Sequence, residues 1–325
     1  MHLPLYHRPS SLAFLDDDTS YLEMLSLILP TDWCIRLFSR VDDFLSQIQV
    51  DSELWEEDLW NHHVIIEKWR AGVPLIPQIL QYWENRPDRF ALCKVCVVDY
   101  AMPAKTGLEV LQTLSRWPSS KVLLTGKADE MIAVNAFNHG LISRFIPKQQ
   151  ANLGNHLTQV LLSQRDAPIP LYEGLWVSTL DKTHYKITQN PEVRFALSKL
   201  IQSQQWIEYF IVEQPFGVIA LDRAGNHYWL QLELRSDLLS AVELAHLSDH
   251  TPEQIQCISQ GTHLSNIELL TAIQDSSAPR IAPALNLGED LGLLGAIFNL
   301  PNATLPTSTY ARFVNDFPAR NISDY

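Results

Sequence analysis

Hydrophobic and polar positions follow a repeating order along the first 165 residues. Short apolar runs, such as residues 11–15 and 95–98, end at acidic residues and are followed by apolar residues three and four positions apart. Buried parallel strands read as continuous apolar runs, whereas amphipathic helices show the wider spacing. The pattern therefore predicts an α/β unit in which strands and helices alternate, with functional groups at the carboxyl ends of the strands.

Five strands are predicted in this unit. They cover residues 11–15, 33–38, 95–98, 121–124 and 141–146. A second helix is predicted over residues 41–48, and residues 51–92 then separate it from the third strand. Apolar residues and tryptophans recur at helical spacing in this segment, so we expect an inserted helical pair. Its aromatic stripe either covers the domain's own surface or docks a partner.

The second half predicts a different architecture. The proline-containing segment RDAPIP, residues 165–170, is typical of a linker between domains. Beyond it, residues 171–325 predict an α+β domain with a small antiparallel sheet. The predicted strands are 207–212, 217–221 and 228–234, and the predicted helices are 191–201, 238–247, 252–258, 264–273 and 291–300.

Polar residues that can carry chemistry stand at the ends of the predicted strands of the first unit. Asp16, Asp17 and Asp18 end the first strand, and Asp99 ends the third. Three adjacent carboxylates at one strand end repel each other, and a divalent cation such as Mg²⁺ removes that repulsion. Capping of the following helix by Asp18 is the alternative explanation.

The order D-x-x-M-P-x-x-x-G, formed by Asp99, Met102, Pro103 and Gly107, resembles the phosphoacceptor segment of receiver domains of two-component response regulators. The acidic cluster, Thr125 and Lys148 also stand at strand ends in the order of that family. The resemblance covers residues 11–164. It implies a flavodoxin-like, doubly wound (βα)5 receiver of the CheY-like type over residues 1–164, with sheet order 2-1-3-4-5 and a helical insertion at about 51–92.

The resemblance also implies a role for each site residue. Asp99 would accept a phosphoryl group from a sensor histidine kinase or a phosphotransfer protein. Thr125 and Lys148 would contact the phosphoryl oxygens, and Phe145 would be the switching aromatic residue. The Mg²⁺ ligands would be Asp17, Asp99 and the backbone carbonyl of Ala101, with Asp16 acting through water.

Two positions depart from the family's usual pattern. Gln149 stands where receivers usually have proline after the lysine, which affects the expected switching geometry more than the phosphotransfer. Ala101 and Lys127 stand two residues after Asp99 and Thr125, at positions that commonly tune hydrolysis of the aspartyl phosphate. Neither side chain orients a water as a carboxylate or amide would, so we expect slow self-dephosphorylation.

Charge and composition limit the function classes. The formal net charge is -13, and residues 166–325 hold 9 Lys and Arg against 18 Asp and Glu. Such an acidic half is poorly suited to neutralising DNA phosphates. Apolar runs are too short for a membrane span, and the N-terminus lacks the apolar region of a signal peptide, so we expect a soluble, cytoplasmic protein. Cys93 and Cys96, three residues apart on a strand, are expected to point to opposite faces as core residues.

The sequence leaves the function of the second half open. We expect a non-DNA-binding output domain that acts through dimerisation or contacts with a partner protein. An enzyme or a small-molecule sensor is the alternative, because the segment from Pro215 faintly resembles the opening hairpin of PAS domains. A transcription regulator is disfavoured: the segment from Thr251 has a helix-turn-helix pattern, but residues 236–279 contain no Lys or Arg. His246 and His250, one helical turn apart, are interpreted as solvated or capping residues because no third metal ligand stands at suitable spacing.

Overall fold

The structure, a computed structural model, describes residues 3–103, 105–114, 117–118, 120–126, 130–300 and 309–317. These residues form two compact units. We name the two units after the predictions made from the sequence. The receiver unit comprises Pro9–Leu59, Asp88–Ile169 and the described residues from 311 onward. The output unit comprises the described residues up to Arg8, together with Trp60–Pro87 and Pro170–Tyr310.

Helices and strands alternate up to residue 169. In chain order they are β1 (Tyr6–His7), β2 (Ser11–Leu15), α1 (Thr19–Ile28), β3 (Ile35–Phe38), α2 (Val41–Arg70), α3 (Leu75–Asn85), a 3₁₀ turn (Pro87–Ala91), β4 (Cys93–Asp99), α4 (Gly107–Thr113), β5 (Ser120–Thr125), α5 (Glu130–Asn138), β6 (Arg144–Pro147) and α6 (Leu153–Asp166).

The receiver unit contains a five-stranded parallel sheet of order β3-β2-β4-β5-β6. Numbered from its own first strand, this is the order 2-1-3-4-5, so the predicted doubly wound fold is confirmed. Phe14, Val97 and Leu124 belong to its buried core, against which α1 and α6 pack their apolar faces. Burial of both sheet faces explains why these strands read as continuous apolar runs.

The second helix is much longer than predicted. Instead of ending at residue 48, α2 continues to Arg70, because no glycine or proline interrupts it before Gly72 and Pro74. Its residues up to Leu59 group with the receiver unit, and those from Trp60 group with the output unit. Residues 60–87 and the described residues up to Arg8 therefore belong to the output unit, although the predicted boundaries include them in the first domain.

The output unit has the predicted α+β architecture. Its elements after residue 169 are α7 (Pro170–Val177), α8 (Lys182–Gln189), α9 (Pro191–Ser203), β7 (Trp206–Val212), β8 (Gly217–Asp222), β9 (His227–Leu234), a 3₁₀ turn (Arg235–Asp237), α10 (Leu238–His246), α11 (Pro252–Ser259), β10 (His263–Ser265), α12 (Ile267–Ala272), β11 (Ile281–Pro283), β12 (Leu285–Gly288), β13 (Leu293–Asn299) and α13 (Tyr310–Asp316), whose last residues belong to the receiver unit. The main sheet has the order β1-β7-β8-β9-β13-β12, with antiparallel neighbours throughout.

Two of the predicted output helices are wrong. Residues 291–300 contain the strand β13, which lies between β9 and β12, so its residues are mostly buried and show no alternation. A continuous apolar run of this length fits a buried strand as well as a helix, and only the pairing decides. Within residues 264–273, β10 precedes the short helix α12. That strand separates α11 from α12, so the predicted helix-turn-helix pattern does not form.

Part of the predicted insertion contributes to the core of the output unit. Trp83 of α3 is fully buried, and its ring stacks on His227 at 5.4 Å and lies 5.9 Å from Phe210, which belongs to β7. His62, also from residues 60–87, accepts a hydrogen bond at Nδ1 from the indole of Trp176 at 2.9 Å. Trp83 of the aromatic stripe therefore packs on the sheet of the output unit, whereas Trp55 belongs to the receiver unit, where its indole N–H donates to the carbonyl of Cys93 on β4 at 3.0 Å.

The two cysteines of β4 lie closer together than predicted. Their Sγ atoms are 3.8 Å apart, and both side chains are fully buried. The pairing of β2 with β4 shifts register here, since Ser11 pairs with Cys93 whereas Leu12 pairs with Val95. An irregularity of this kind leaves one residue, Lys94, outside the regular alternation. The expectation that the thiols point to opposite faces is therefore wrong, and the prediction that they are core residues is correct.

Among the residues that the structure describes, no helix is both long enough and apolar enough to cross a membrane.

A half-buried carboxyl group on the output sheet gives a pH-dependent prediction. Burial, followed by the nearby charges of Glu268 and Asp237, raises the pKa of Glu233 on β9 to about 7, and a hydrogen bond from Gln231 limits this rise. A raised folded-state pKa means that protonated Glu233 stabilises the unit below pH 4.5 and that this contribution is lost as the pH rises through about 7.

We therefore expect Glu233→Gln to raise the free energy of unfolding at pH 8 by about 2 kcal/mol, with no gain near pH 4.5. Urea unfolding across this pH range measures the difference, and Glu243→Gln, at an exposed position of α10, is the matched control. A pH-independent effect of Glu233→Gln would contradict the prediction.

Candidate functional site

The predicted site residues of the receiver unit meet at one edge of its sheet. Asp16 directly follows β2, Asp99 ends β4, Thr125 ends β5, and Lys148 directly follows β6. Because the strands are parallel, their carboxyl ends lie at the same edge. The backbone N–H of Lys148 donates to the carbonyl of Thr125 at 2.8 Å, so these two residues are direct neighbours.

Lys148 joins two of the acidic residues. Its Nζ lies 2.7 Å from an oxygen of Asp16 and 2.8 Å from an oxygen of Asp99. Burial lowers the pKa of Lys148, but the bonds with the two carboxylates outweigh this and raise it. Burial raises the pKa of Asp16 to about 6, and the Lys148 contact limits that rise. At neutral pH the protonated amino group of Lys148 therefore lies between the carboxylates of Asp16 and Asp99.

The donor set fits a hard divalent cation. Oxygens of Asp16, Asp17 and Asp99 all lie within 4.8 Å of one another, with Asp17 exposed and the other two buried. Lys148 supplies one positive charge against three carboxylates, so a negative charge remains for a cation to balance. The neighbouring Asp18 has the capping role given as the alternative, because its side chain accepts from the backbone N–H of Tyr21 at the start of α1. Among the three consecutive aspartates, Asp18 therefore caps the helix, whereas Asp16 and Asp17 are placed to bind a cation together with Asp99.

Thr125 places a buried hydroxyl group at this edge of the sheet. Its side chain is fully buried, and no atom of the described residues hydrogen-bonds to its Oγ1. A buried hydroxyl without a partner costs about 1–3 kcal/mol. Phe145, the predicted switching residue, lies half-buried on β6 and pairs with Leu123 of β5, two residues before Thr125.

Gly107 fixes the backbone that carries Asp99. The N–H of Gly107 donates to the carbonyl of Tyr100 at 2.9 Å, and a Cβ at this position would lie 2.1 Å from the Asp99 carbonyl oxygen. Thr106 caps α4 at the same place: its hydroxyl accepts from the N–H of Glu109, whose carboxylate accepts from the N–H of Thr106. Only glycine permits this approach between the start of α4 and the end of β4.

Sequence reasoning missed one residue at the site, Tyr21. Lys148 Nζ lies 4.5 Å from the centre of the Tyr21 ring, a cation–π distance. Burial, followed by the charges of Asp16 and Asp99, raises the pKa of the Tyr21 hydroxyl. Within the described part of the chain that buried hydroxyl has no hydrogen-bond partner. Its position in the first turn of the helix after the acidic trio was the available signal.

The remaining predicted positions lie around or outside this edge. Ala101 and Gln149 are exposed, and Lys127 lies outside the described residues. Of the two histidines in the output unit, His246 is exposed as expected, whereas His250 is buried. Both ring nitrogens of His250 contact serine hydroxyls, Nδ1 that of Ser248 at 2.5 Å and Nε2 that of Ser265 at 2.9 Å.

Comparison with solved structures gives similar folds. The response regulator LqsR of Legionella pneumophila shares 21% sequence identity with this chain, over 98% of each chain, with a TM-score of 0.71. A CheY-like receiver domain protein of Methanospirillum hungatei shares 16% identity, over 48% of this chain and 94% of its own, with a TM-score of 0.31. The receiver domain of an HD domain-containing protein of Pseudomonas fluorescens shares 14% identity, over the same fractions, with a TM-score of 0.32.

No protein-family model matches the sequence, and no curated protein matches it. The similarity to LqsR establishes a shared fold over nearly the whole chain. The predicted fold, a doubly wound parallel unit followed by an α+β unit, is therefore confirmed.

Proposed function

We propose that this chain is a cytoplasmic response regulator that accepts a phosphoryl group on Asp99 from a sensor histidine kinase or a phosphotransfer protein. The observation that carries the proposal is the position of Lys148, whose ammonium group binds Asp16 and Asp99 at once. The same edge of the sheet holds a third carboxylate and the buried hydroxyl of Thr125. A carboxylate can attack phosphorus, and a cation and a hydroxyl stabilise the charge on a transferring phosphoryl group.

Each residue of the edge has a role in this transfer. An oxygen of Asp99 attacks phosphorus while the bond between phosphorus and the imidazole nitrogen of the donor breaks, and that nitrogen leaves with the electron pair. Lys148 then pairs with one phosphoryl oxygen, and the hydroxyl of Thr125 donates to another. Mg²⁺ would be held by Asp17, Asp99 and the carbonyl of Ala101, with Asp16 acting through water, and would offset the repulsion between carboxylate and phosphoryl group.

The signal would leave the site through β5 and β6. When Thr125 turns toward the phosphoryl group, it vacates space into which the half-buried Phe145 can move. Helix α5 contacts both strands and exposes a row of apolar side chains, namely Met131, Ile132, Val134 and Phe137. Such a row supports the proposal that phosphorylation drives dimerisation or partner binding through this part of the surface.

The output unit acts in this proposal through protein contacts. Its acidic composition argues against binding to nucleic acid. A cavity of about 200 Å³ in this unit is lined by residues including Asn266, Ile281 and Phe298. We favour protein contacts as the output, and the second candidate is that the receiver gates an enzyme or a PAS-like sensor.

The test is intact-mass analysis of the full chain after incubation with a small phosphodonor, with Mg²⁺ or with a chelator. We expect one phosphoryl adduct per chain that depends on the metal, and size-exclusion chromatography should show a larger species for the adduct. Absence of an adduct under all conditions would refute phosphoacceptor function. An adduct without a change in size would refute dimerisation but leave phosphotransfer intact.

The lifetime of the adduct gives a further prediction. Ala101 is exposed two residues after Asp99 and has no group that orients an attacking water. We expect Ala101→Asn to shorten the lifetime of the phosphorylated chain about tenfold, because the amide positions water near the acyl phosphate. Decay of the adduct is followed by intact mass after removal of the donor. Ala101→Val, which cannot bind water, is the control, and equal lifetimes for the two variants would contradict the prediction.

A further inference from the structure

Three side chains with metal-binding atoms converge in the output unit, at the start of α8. Asp181 precedes this helix, His184 lies in its first turn, and Glu213 directly follows β7. One ligand atom from each of the three residues lies within 4.8 Å of the other two. An imidazole with two carboxylates is a donor set that suits divalent transition metals, Zn²⁺ in particular.

The distances suit a tetrahedral ion after a small adjustment. Nδ1 of His184 lies 2.6 Å from Oε1 of Glu213 and 3.6 Å from Oδ2 of Asp181. Ligand atoms at about 2.0–2.1 Å from a tetrahedral Zn²⁺ lie roughly 3.3 Å apart. The His184–Asp181 separation therefore already fits, and the His184–Glu213 separation has to widen by about 0.7 Å.

The ligands are held in place by other groups. The ring of His184 stacks flat on Phe216, with a centroid distance of 4.0 Å and an interplanar angle of 7°. The second oxygen of Glu213 accepts from the backbone N–H of Asp181 at 3.2 Å. Oδ1 of Asp181 accepts from the N–H of His184 at 2.7 Å, which leaves Oδ2 on the side of the imidazole. In metal sites, hydrogen bonds and packing contacts between the ligand residues and other protein groups orient the ligands.

Charge and access agree with an ion that enters from solvent. Two carboxylates and a neutral imidazole carry the charge that balances a divalent cation. The exposed fraction is 55% for the side chain of Asp181, 21% for His184 and 13% for Glu213, so the cluster is open on the Asp181 side. Three protein ligands leave a fourth position for water.

We propose that Asp181, His184 and Glu213 bind one Zn²⁺ ion, with His184 coordinating through Nδ1 as the neutral imidazole whose proton is on Nε2. The ion replaces the hydrogen bond between His184 and Glu213. Bound there, it ties the start of α8 to the loop between β7 and β8. This site is separate from the carboxylates of the receiver unit in residues and in chemistry, because those offer oxygen alone.

The test is titration of the full chain with Zn²⁺ in excess Mg²⁺, in competition with a chromophoric chelator. We expect one Zn²⁺ per chain, and a melting temperature that rises with Zn²⁺ because the ion binds the folded state. Glu213→Gln and His184→Gln should each weaken binding more than about 100-fold. Asp181→Asn should weaken binding about tenfold. Because asparagine caps helices as well as aspartate does, this variant should fold like the native chain, so that weaker binding reflects the lost carboxylate.

Two controls locate the ion. His246→Gln removes an exposed histidine of the same unit, and Asp17→Asn alters the receiver carboxylates; both should bind Zn²⁺ as the native chain does. No Zn²⁺ binding by the native chain, or equal binding by all the variants, would overturn the proposal. Loss of binding in Asp17→Asn alone would assign the ion to the receiver unit and would overturn it as well.

Discussion

Replacement of Asp99 by Asn is expected to abolish the phosphoryl adduct completely. The amide has nearly the shape of the carboxylate, but it is neutral and both its oxygen and its nitrogen are poor nucleophiles, so the nucleophilic anion is lost without a change in packing. Asp99 is buried at the end of β4 and bonded to Lys148, which places its charge at the centre of the site. Intact-mass analysis with a phosphodonor and Mg²⁺ measures the effect.

The Asp99→Asn variant should remain folded. Asp99 contributes to the raised pKa of Asp16, so removal of its charge relieves repulsion between the two carboxylates. Thermal unfolding verifies this, and Asp42→Asn, at an exposed position of α2, is the matched control that should react like the native chain. Adduct formation by Asp99→Asn at the native rate would show that the phosphoacceptor is another residue.

Gly107→Ala is expected to destabilise the receiver unit strongly, by about 3 kcal/mol or more. The added Cβ would lie 2.1 Å from the Asp99 carbonyl oxygen and 2.9 Å from its carbonyl carbon, and neither backbone atom can move without disturbing β4. Because the displaced carbonyl belongs to Asp99, the proposed phosphoacceptor, we also expect slower adduct formation. Urea unfolding, with hydrogen exchange of the β4 amides, measures the loss.

Gly154→Ala is the matched control for Gly107→Ala. Gly154 lies on α6 of the same unit, and a Cβ there would meet the nearest side-chain carbon of Ile28 at 3.5 Å, an ordinary contact. Alanine is the better helix former, so Gly154→Ala should leave the unit as stable as the native protein or slightly more stable. Similar stabilities for the two alanine variants would show that the approach of α4 to β4 is not as close as described.

Local pattern predicted most of the receiver unit because each signal is confined to a few neighbouring residues. Residues 95–98 form a buried run, Asp99 ends it, and Gly107 starts a helix, as the resemblance required. Strand ends meet at one edge in any parallel sheet, so the convergence of Asp16 and Lys148 on Asp99 also followed from the order of the elements. Tyr21 was missed because it lies on α1 and not at a strand end, so the order of the strands did not predict its contact with Lys148.

The output unit was predicted less completely for a related reason. Residues 291–300 are apolar enough for either a helix or a strand, and β13 is a strand because β9 and β12 offer hydrogen bonds on both sides. The cluster of Asp181, His184 and Glu213 has no spacing signal, since α9 and β7 separate Glu213 from the other two residues. A metal site assembled across such a distance is visible only after the chain has folded.

The sequence by itself determined the receiver fold, the position of the segment around Asp99 at the edge of its sheet and the α+β character of the second half. These depend on the period of apolar residues and on short motifs, which neighbouring residues encode. The tertiary structure decided that residues 60–87 join the core of the output unit, that Cys93 and Cys96 approach each other, and which groups surround Lys148. These features depend on strand register and on packing between distant segments, whose free energy is gained only when the segments meet.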